Sequence, residues 1–444
     1  MGEYTAERGA PRRRVTSSRT SRWRKLAIVA GLLLATTGLS AVGVEADTGG
    51  VQEPSGIVAS GLDNPRHLEV ARNGRIWVSE AGSGGSTLVD TALGGSPGPI
   101  CVGDSGAVSV IVRGEVRRVV TGLASASDAV DGSCDGTGAF ATGPHGLDVT
   151  TSDPTYSTGL GGVGAIRDLL AAGDPVASHF GTVDNMERPQ FQLADLVAFE
   201  DANDTDGSGA DSNPYGVLRI PGGTTLVADA GANAILAIDA TGGISPHAVF
   251  APRCVPWNLP FPNPVPPVFN PCGTQDEFPA DPVPTGVARA MNGDILVSTL
   301  GGFPFAAGFS LIYRIDADHD GVAVCSTFAP VPASGCEVFA DGLTSLVDLE
   351  VAPDGKVYAV QFADAGVGAL ESGAPGATAG SVQILHRRTG EVMGSIVGLT
   401  LPGGVAIDGR DVYITNNSVF PGAGEIVEAR TLCTTLGKAA CLAG

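Results

Sequence analysis

The sequence predicts an all-β protein: a six-bladed β-propeller of four-stranded antiparallel blades, with an N-terminal strand closing the last blade. Three observations predict it. One strand–turn–strand pattern recurs six times, five of the six copies carry proline at one register, and the last copy lacks a strand that the N-terminal region can supply.

The first copy is "NPRHLEVARNGRIWVSEAG", residues 64–82, where Asn73-Gly74 separates two short apolar runs. Asn-Gly is a strong hairpin signal because both turn residues must reach positive φ. A lone hairpin cannot bury its apolar face, so further strands are required. The later copies are "GPHGLDVTTSDPTYSTGLGG" from Gly143, "NPYGVLRIPGGTTLVADAG" from Asn213, "VPTGVARAMNGDILVSTLGG" from Val283, "SLVDLEVAPDGKVYAVQFAD" from Ser345 and "LPGGVAIDGRDVYITNNS" from Leu401. Aligned, one column reads Pro65, Pro144, Pro214, Pro284, Leu346 and Pro402. Proline suits the first residue of a strand, where no ladder N–H is needed. Second strand pairs follow, as in "GAVSVIVRGEVRRVVTGL", "NAILAIDATGGISPHAVFA" and "GSVQILHRRTGEVMGSIVGL". Units spaced by roughly 55 to 80 residues, with four strands each, describe propeller blades; a sandwich or solenoid is the alternative. The final unit has three strands, and "GIVASGL" at 56–62 has no partner of its own. Pairing the two removes an open seam.

The 444 residues carry 26 Lys+Arg against 47 Asp+Glu, a net charge of −21, which argues against a nucleic-acid partner. With 43% hydrophobic and 16% charged residues, a large core is available. Eight basic residues fall within 1–46 and lead into "LAIVAGLLLATTGLSAVGVEA". This is the pattern of a secretory signal ending near Ala46, with an uncleaved anchor as the alternative. The expected division is therefore a signal peptide at 1–46, a propeller at 47–432 and a tail at 433–444. The expected product is secreted, monomeric and free of the membrane after cleavage. Export suits the eight cysteines, whose spacing suggests the local pairs Cys101–Cys134, Cys254–Cys272, Cys325–Cys336 and Cys433–Cys441, although sequence leaves the connectivity open.

The turns between first and second strands are short, so they mark one face. The long insertions, at 82–105, 124–142, 160–178, 200–212, 252–282 and 363–380, gather on the other. Such a face is the expected binding face for a small molecule or a protein. Two columns of polar residues open onto it near the axis. After each column proline come Arg66, His145, Tyr215, Thr285, Val347 and Gly403; ending each second strand come Glu80, Gly159, Asp229, Thr299, Gln361 and Asn416. With His67 and Asp348 beside them, the candidate ligand-binding set is Arg66, His67, Glu80, His145, Tyr215, Asp229, Thr299, Asp348, Gln361 and Asn416. Carboxylate and amide oxygens suit Ca²⁺, for which Glu80, Asp229 and Asn416 are the candidate ligands, and His145 or His67 beside Glu80 or Asp229 could do acid–base work. The bland alternative is a polar, water-filled channel.

Weaker signals remain. "DADHDG" at 316–321 opens like a calcium loop, but its twelfth position is Thr327 and its flanks are strand, so a solvated acidic turn is expected. "EDANDTDGSGADSNPYG" at 200–216 is a similarly acidic loop. The Pro-rich stretch at 252–273 offers Trp257, Phe261 and Phe269 for packing or for gripping a ligand.

Together "GLDNPRHLEVARNGRIWVSEAG", "TGPHGLD", "LADLVAFEDAND", "DSNPYGVL" and "LVADAGANAIL" resemble the ScyD/ScyE family of exported six-bladed propellers, across about Gly56 to Ala429. The resemblance implies fold and export, and no particular reaction. Related lactonase-type propellers hold a central divalent metal with Glu, Asn and Asp, which makes a calcium-dependent lactonase or esterase the alternative to a binding protein. Gly159 and Thr299 interrupt the ring such a metal would need.

Overall fold

The computed structural model describes residues 50–91, 98–149, 153–186, 191–258, 263–266, 270–328 and 331–430. The expected signal at 1–46, Phe261, Phe269 and the Cys433–Cys441 pair lie outside them.

Six antiparallel sheets form the six blades of a propeller. Their inner strands are Pro65–Val70, Pro144–Val149, Pro214–Arg219, Pro284–Arg289, Leu346–Val351 and Gly404–Asp408. In the first five, the column residue opens the strand and pairs with the last residue of the second strand, as in Pro65 with Glu80 and Pro214 with Asp229. Proline costs no ladder bond at that terminal place. The sixth inner strand starts two residues beyond Pro402.

Closure is as expected. Gly56–Leu62 runs antiparallel to Gly424–Arg430 and is the outer strand of blade 6. Two short parallel strands were not foreseen. Gly50–Gln52 adds in parallel to the outer strand of blade 5, and Ala323–Cys325 does the same on blade 3. In blade 1 the third and fourth strands are a hairpin of two 14-residue arms, Pro99–Val112 and Glu115–Asp128, so parts of the expected insertions at 82–105 and 124–142 are strand. Other insertions carry the helices Gly164–Gly173 and Leu196–Asn203 and a ribbon of Arg253–Pro256 with Glu277–Ala280. Asp195 caps the second helix by accepting from Ala198 N at 2.9 Å.

The core lies between blades. Leu226, Ile235 and Phe250 of blade 3 pack against Val297, Leu311 and Tyr313 of blade 4; Tyr358 and Ile384 of blade 5 pack against Ile414 and Val427 of blade 6. Three disulfides, Cys101–Cys134, Cys254–Cys272 and Cys325–Cys336, have Cα separations of 5.4, 5.7 and 5.1 Å, within the ordinary range for a bridge. Each is one of the expected neighbour pairs. No helix among the described residues is long and apolar enough to cross a membrane.

Candidate functional site

The two predicted columns part company in the structure. The residues that end the second strands turn back into their own blades. Glu80, fully buried, accepts from Asp63 N at 2.7 Å, from Arg118 Nη2 at 2.7 Å and from Ser109 Oγ. Asp229, also fully buried, accepts from Asn213 N at 2.7 Å, Ser212 Oγ at 2.7 Å, Gly231 N at 3.1 Å and Ala232 N at 3.2 Å. Gln361 Oε1 takes Thr344 N at 2.9 Å, and Asn416 Oδ1 takes Thr400 N at 2.7 Å. In four blades, then, a side-chain oxygen latches the backbone that leads into the inner strand. Thr299 instead bonds the third strand, through Leu311 N and O at 3.1 and 3.2 Å. In blade 2 the register places Thr158, not Gly159, opposite the column proline.

The three residues expected to hold calcium, Glu80, Asp229 and Asn416, each bond within their own blade. Their oxygens are occupied by separate latches in blades 1, 3 and 6 and have no partner in common. Among the described residues no group of three or more His, Cys, Asp or Glu has a metal-holding arrangement. The acidic loop at 200–212 also serves its own backbone: both Glu200 oxygens take Thr205 N at 3.0 Å, and Asp204 takes Gly209 N at 2.9 Å. Burial, with Asp229 and Asp206 adding to it, pushes Glu200 up to about 7. At 316–321 Asp316 accepts from Asp318 N at 2.9 Å, as an ordinary acidic turn does. Trp257 packs on Phe278 and Phe303, with ring centroids 5.4 and 5.8 Å away.

Of the residues after the column proline, Arg66, His145 and Tyr215 meet. The rings of His145 and Tyr215 stack with centroids 4.7 Å apart and planes inclined by 23°. The stack needs Gly159, because a Cβ there would lie 2.4 Å from His145 Nδ1. Arg66, 8% exposed, is close enough to act electrostatically on both rings. Its Nη1 donates to Ser418 O at 3.0 Å and its Nη2 to Ala141 O at 2.6 Å, while Nε has no acceptor. Its partners are carbonyls alone. Burial lowers the Arg66 pKa, and burial together with the Arg66 charge holds His145 well below the usual histidine value. His145 is therefore a neutral imidazole at pH 7, 6% exposed, with Nδ1 unbonded.

Deeper along the axis, His67 Nδ1 meets Asp348 Oδ2 at 3.2 Å and His67 Nε2 meets Glu69 Oε1 at 3.7 Å. Burial disfavours the imidazolium, but Asp348 and Glu69 outweigh it and raise the His67 pKa well above its usual value. The pair reaches across the inner strand of blade 6, where a Cβ on Gly404 would sit 3.0 Å from His67 Cα and 3.2 Å from Asp348 Oδ2. The same column is Gly146, Gly216 and Gly286 in blades 2 to 4, each against the backbone of the next inner strand. Gly404→Ala should therefore cost about 1–3 kcal/mol by overpacking, read as a lower urea midpoint.

Sequence reasoning missed a set of hydroxyls that stitch blades together. Ser79 Oγ accepts from His67 N at 3.1 Å and donates to His145 O in the next blade. Ser157 Oγ likewise accepts from Gly146 N at 2.9 Å and donates to Tyr215 O, and Thr415 Oγ1 donates to Arg66 O at 2.7 Å. Their signal was a small hydroxyl residue near the end of apolar second strands.

No family model matches this chain, and a search of curated proteins finds no match. Solved structures do. A putative oxidoreductase (glucose dehydrogenase) from Thermus thermophilus is 13% identical with a TM-score of 0.44, over 84% of this chain and 98% of that one. A putative gluconolactonase is 10% identical with a TM-score of 0.42, over 85% and 94%. Regucalcin, a calcium-binding protein from Agrobacterium tumefaciens, gives 10%, 0.42, 85% and 94%. At these values the matches say nothing about what this chain binds, and its fold rests on its own sheets.

Proposed function

We propose that this chain is an exported binding protein that takes a planar organic anion at the axial mouth of its insertion-bearing face. The observation that supports this reading is Arg66: a buried guanidinium bonded to carbonyls alone, beside a neutral histidine stacked on a half-buried tyrosine. A buried charge without a counter-charge is costly, and an arriving anion offsets that cost. Arg66 contributes its field and an Nε–H without an acceptor, while each Nη holds a carbonyl. His145 and Tyr215 contribute a flat aromatic face and polar ring atoms. Export rests on the basic-then-apolar leader and on the disulfides.

Calorimetric titration with 4-hydroxybenzoate tests the reading. Saturable binding should weaken tenfold or more in Tyr215→Leu and in Arg66→Gln, with little change in melting temperature for the former. Because His145 is held well below the usual histidine value, its own charge should add no step in affinity between about pH 7 and 8. Absence of saturable binding, or equal binding by Tyr215→Leu, would remove the axial mouth as the site and leave the rim insertions.

A further inference from the structure

On the opposite face, a groove of about 460 Å³ lies between blades 4 and 5. It is built from the hairpin turns after their inner strands and from the turn after Ala379–Leu385. Its floor is apolar, from Ala290, Leu296, Val351 and Val357, and its lip carries Met291, Arg387 and Arg388. That volume falls in the range of small-molecule sites, which combine an apolar lining with a few polar groups.

The charges around it are unequally spent. Arg314 is neutralised: it meets Glu337 at 3.0 Å and Asp294 at 3.9 Å, and its guanidinium lies 4.6 Å from the Phe339 ring centre. Arg387 reaches only the Asp354 carbonyl, at 3.4 Å. Both Arg387 and Arg388 are exposed, and neither forms an ion pair among the described residues. Met291 is 68% exposed, yet its Sδ would be 2.9 Å from a Cβ on Gly355, which in turn would be 3.1 Å from Arg387 Cδ. Thioether, glycine turn and arginine stem thus form one wall. Met suits a surface that adapts to an apolar guest, and guanidinium suits carboxylate or sulfonate. The chain as a whole carries −21, so an anion is not drawn here by the overall field; it must be held by these two arginines at short range.

We propose that this groove is a second binding site, distinct from the axial mouth, for an organic anion with an extended apolar body. The apolar part lies on the Leu296–Val357 floor and the anionic head sits between Arg387 and Arg388.

Fluorescence titration of the full mature chain with 8-anilinonaphthalene-1-sulfonate tests it. Arg387→Gln with Arg388→Gln should weaken binding at least tenfold without moving the melting temperature, since both side chains are exposed. Dodecanoate should displace the dye and dodecan-1-ol should not. The titrations are run in the Tyr215→Leu background, so that dye held at the axial mouth does not mask the groove. Unchanged binding in the double variant, or displacement by the alcohol as effective as by the acid, would overturn the proposal. Displacement by poly-glutamate but not by dodecanoate would overturn it too, in favour of an acidic protein partner.

Discussion

A chain that begins at Asp63 should not fold. Gly56–Leu62 pairs along the outer edge of blade 6, with Gly56 opposite Glu428 and Leu62 opposite Gly424. Leu62 and Ala59 are buried, and they join Leu68, Ile76 and Val78 of blade 1 and Ala406 and Ile426 of blade 6 in one cluster. This strand therefore fills the seam between the first and last blades. Its loss removes the Leu62 side chain, worth about 2–5 kcal/mol by analogy with a core Leu→Ala change. It also strips a strand ladder and leaves Gly424–Arg430 as a bare edge. Against a net stability of roughly 5–15 kcal/mol, the combined loss is enough to abolish the folded state. The control is a chain that begins at Glu53. Of the described residues it lacks only Gly50–Gln52, which is mostly exposed and pairs with blade 5 in parallel, so it should melt within a few degrees of the parent. Circular dichroism and thermal melting separate the cases. A cooperative melt near the parent temperature in the Asp63 chain would refute closure by this strand.

The blades were legible because their signals are local. Asn73-Gly74, Asn292-Gly293 and Asp354-Gly355 mark hairpins, though only the glycine of each, and not both residues as expected, has positive φ; proline marks where an inner strand begins. Three disulfides were legible because each joins cysteines adjacent in sequence order, 33, 18 and 11 residues apart. The parallel strands Gly50–Gln52 and Ala323–Cys325 were not, since three residues give no periodicity and their partners are distant in sequence. The site was half legible for a definite reason. Register shifts follow the first inner-strand residue, between Pro65 and Leu68, Pro144 and Leu147, Pro214 and Val217, Pro284 and Val287, and Leu346 and Asp348. A bulge re-aims side chains, so alternation cannot say which face a neighbouring residue meets. Arg66, His145 and Tyr215 converge, whereas Glu80 and Asp229 turn into their own blades. Of the remaining candidates, His67 and Asp348 meet each other beneath the mouth. The glycine that lets them do so, Gly404, stands in one column with Gly146, Gly216 and Gly286. That column was visible in the aligned copies, and its physical content is close approach of inner strands.

Asp229 gives the sharpest test of the latch reading, because two substitutions at one atom position should behave oppositely. Asp229→Ala deletes the acceptor for the N–H groups of Asn213, Gly231 and Ala232. A buried donor left without a partner costs about 1–3 kcal/mol, so a loss of about 3–5 kcal/mol is expected. Asp229→Asn keeps an oxygen for those three donors, and its amide can donate to the Ser212 hydroxyl in place of the bond Asp229 now accepts. Burial raises the Asp229 pKa to about 6, against the bonds from Ser212, Asn213 and Ala232 that lower it, while an unfolded aspartate titrates near 3.9. Between those values the folded state holds more protons than the unfolded one. Stability from this group is therefore full below about pH 4 and is lost as pH rises through about 6. Glu200, raised to about 7, acts in the same direction. Asp229 should therefore contribute on the order of 1–2 kcal/mol more stability at pH 5 than at pH 7. His145 and His247, both held below the usual histidine value, act in the opposite direction, so the Asp229 contribution is read as the difference between two profiles. Asp229→Asn should equal or exceed the parent at pH 7 and lose that advantage at pH 5. Urea unfolding of the parent and both variants at pH 5 and pH 7 reads all of this at once. If Asp229→Asn falls as far as Asp229→Ala at pH 7, the negative charge itself is required there, and the residue is no neutral latch but the anionic partner of a cation.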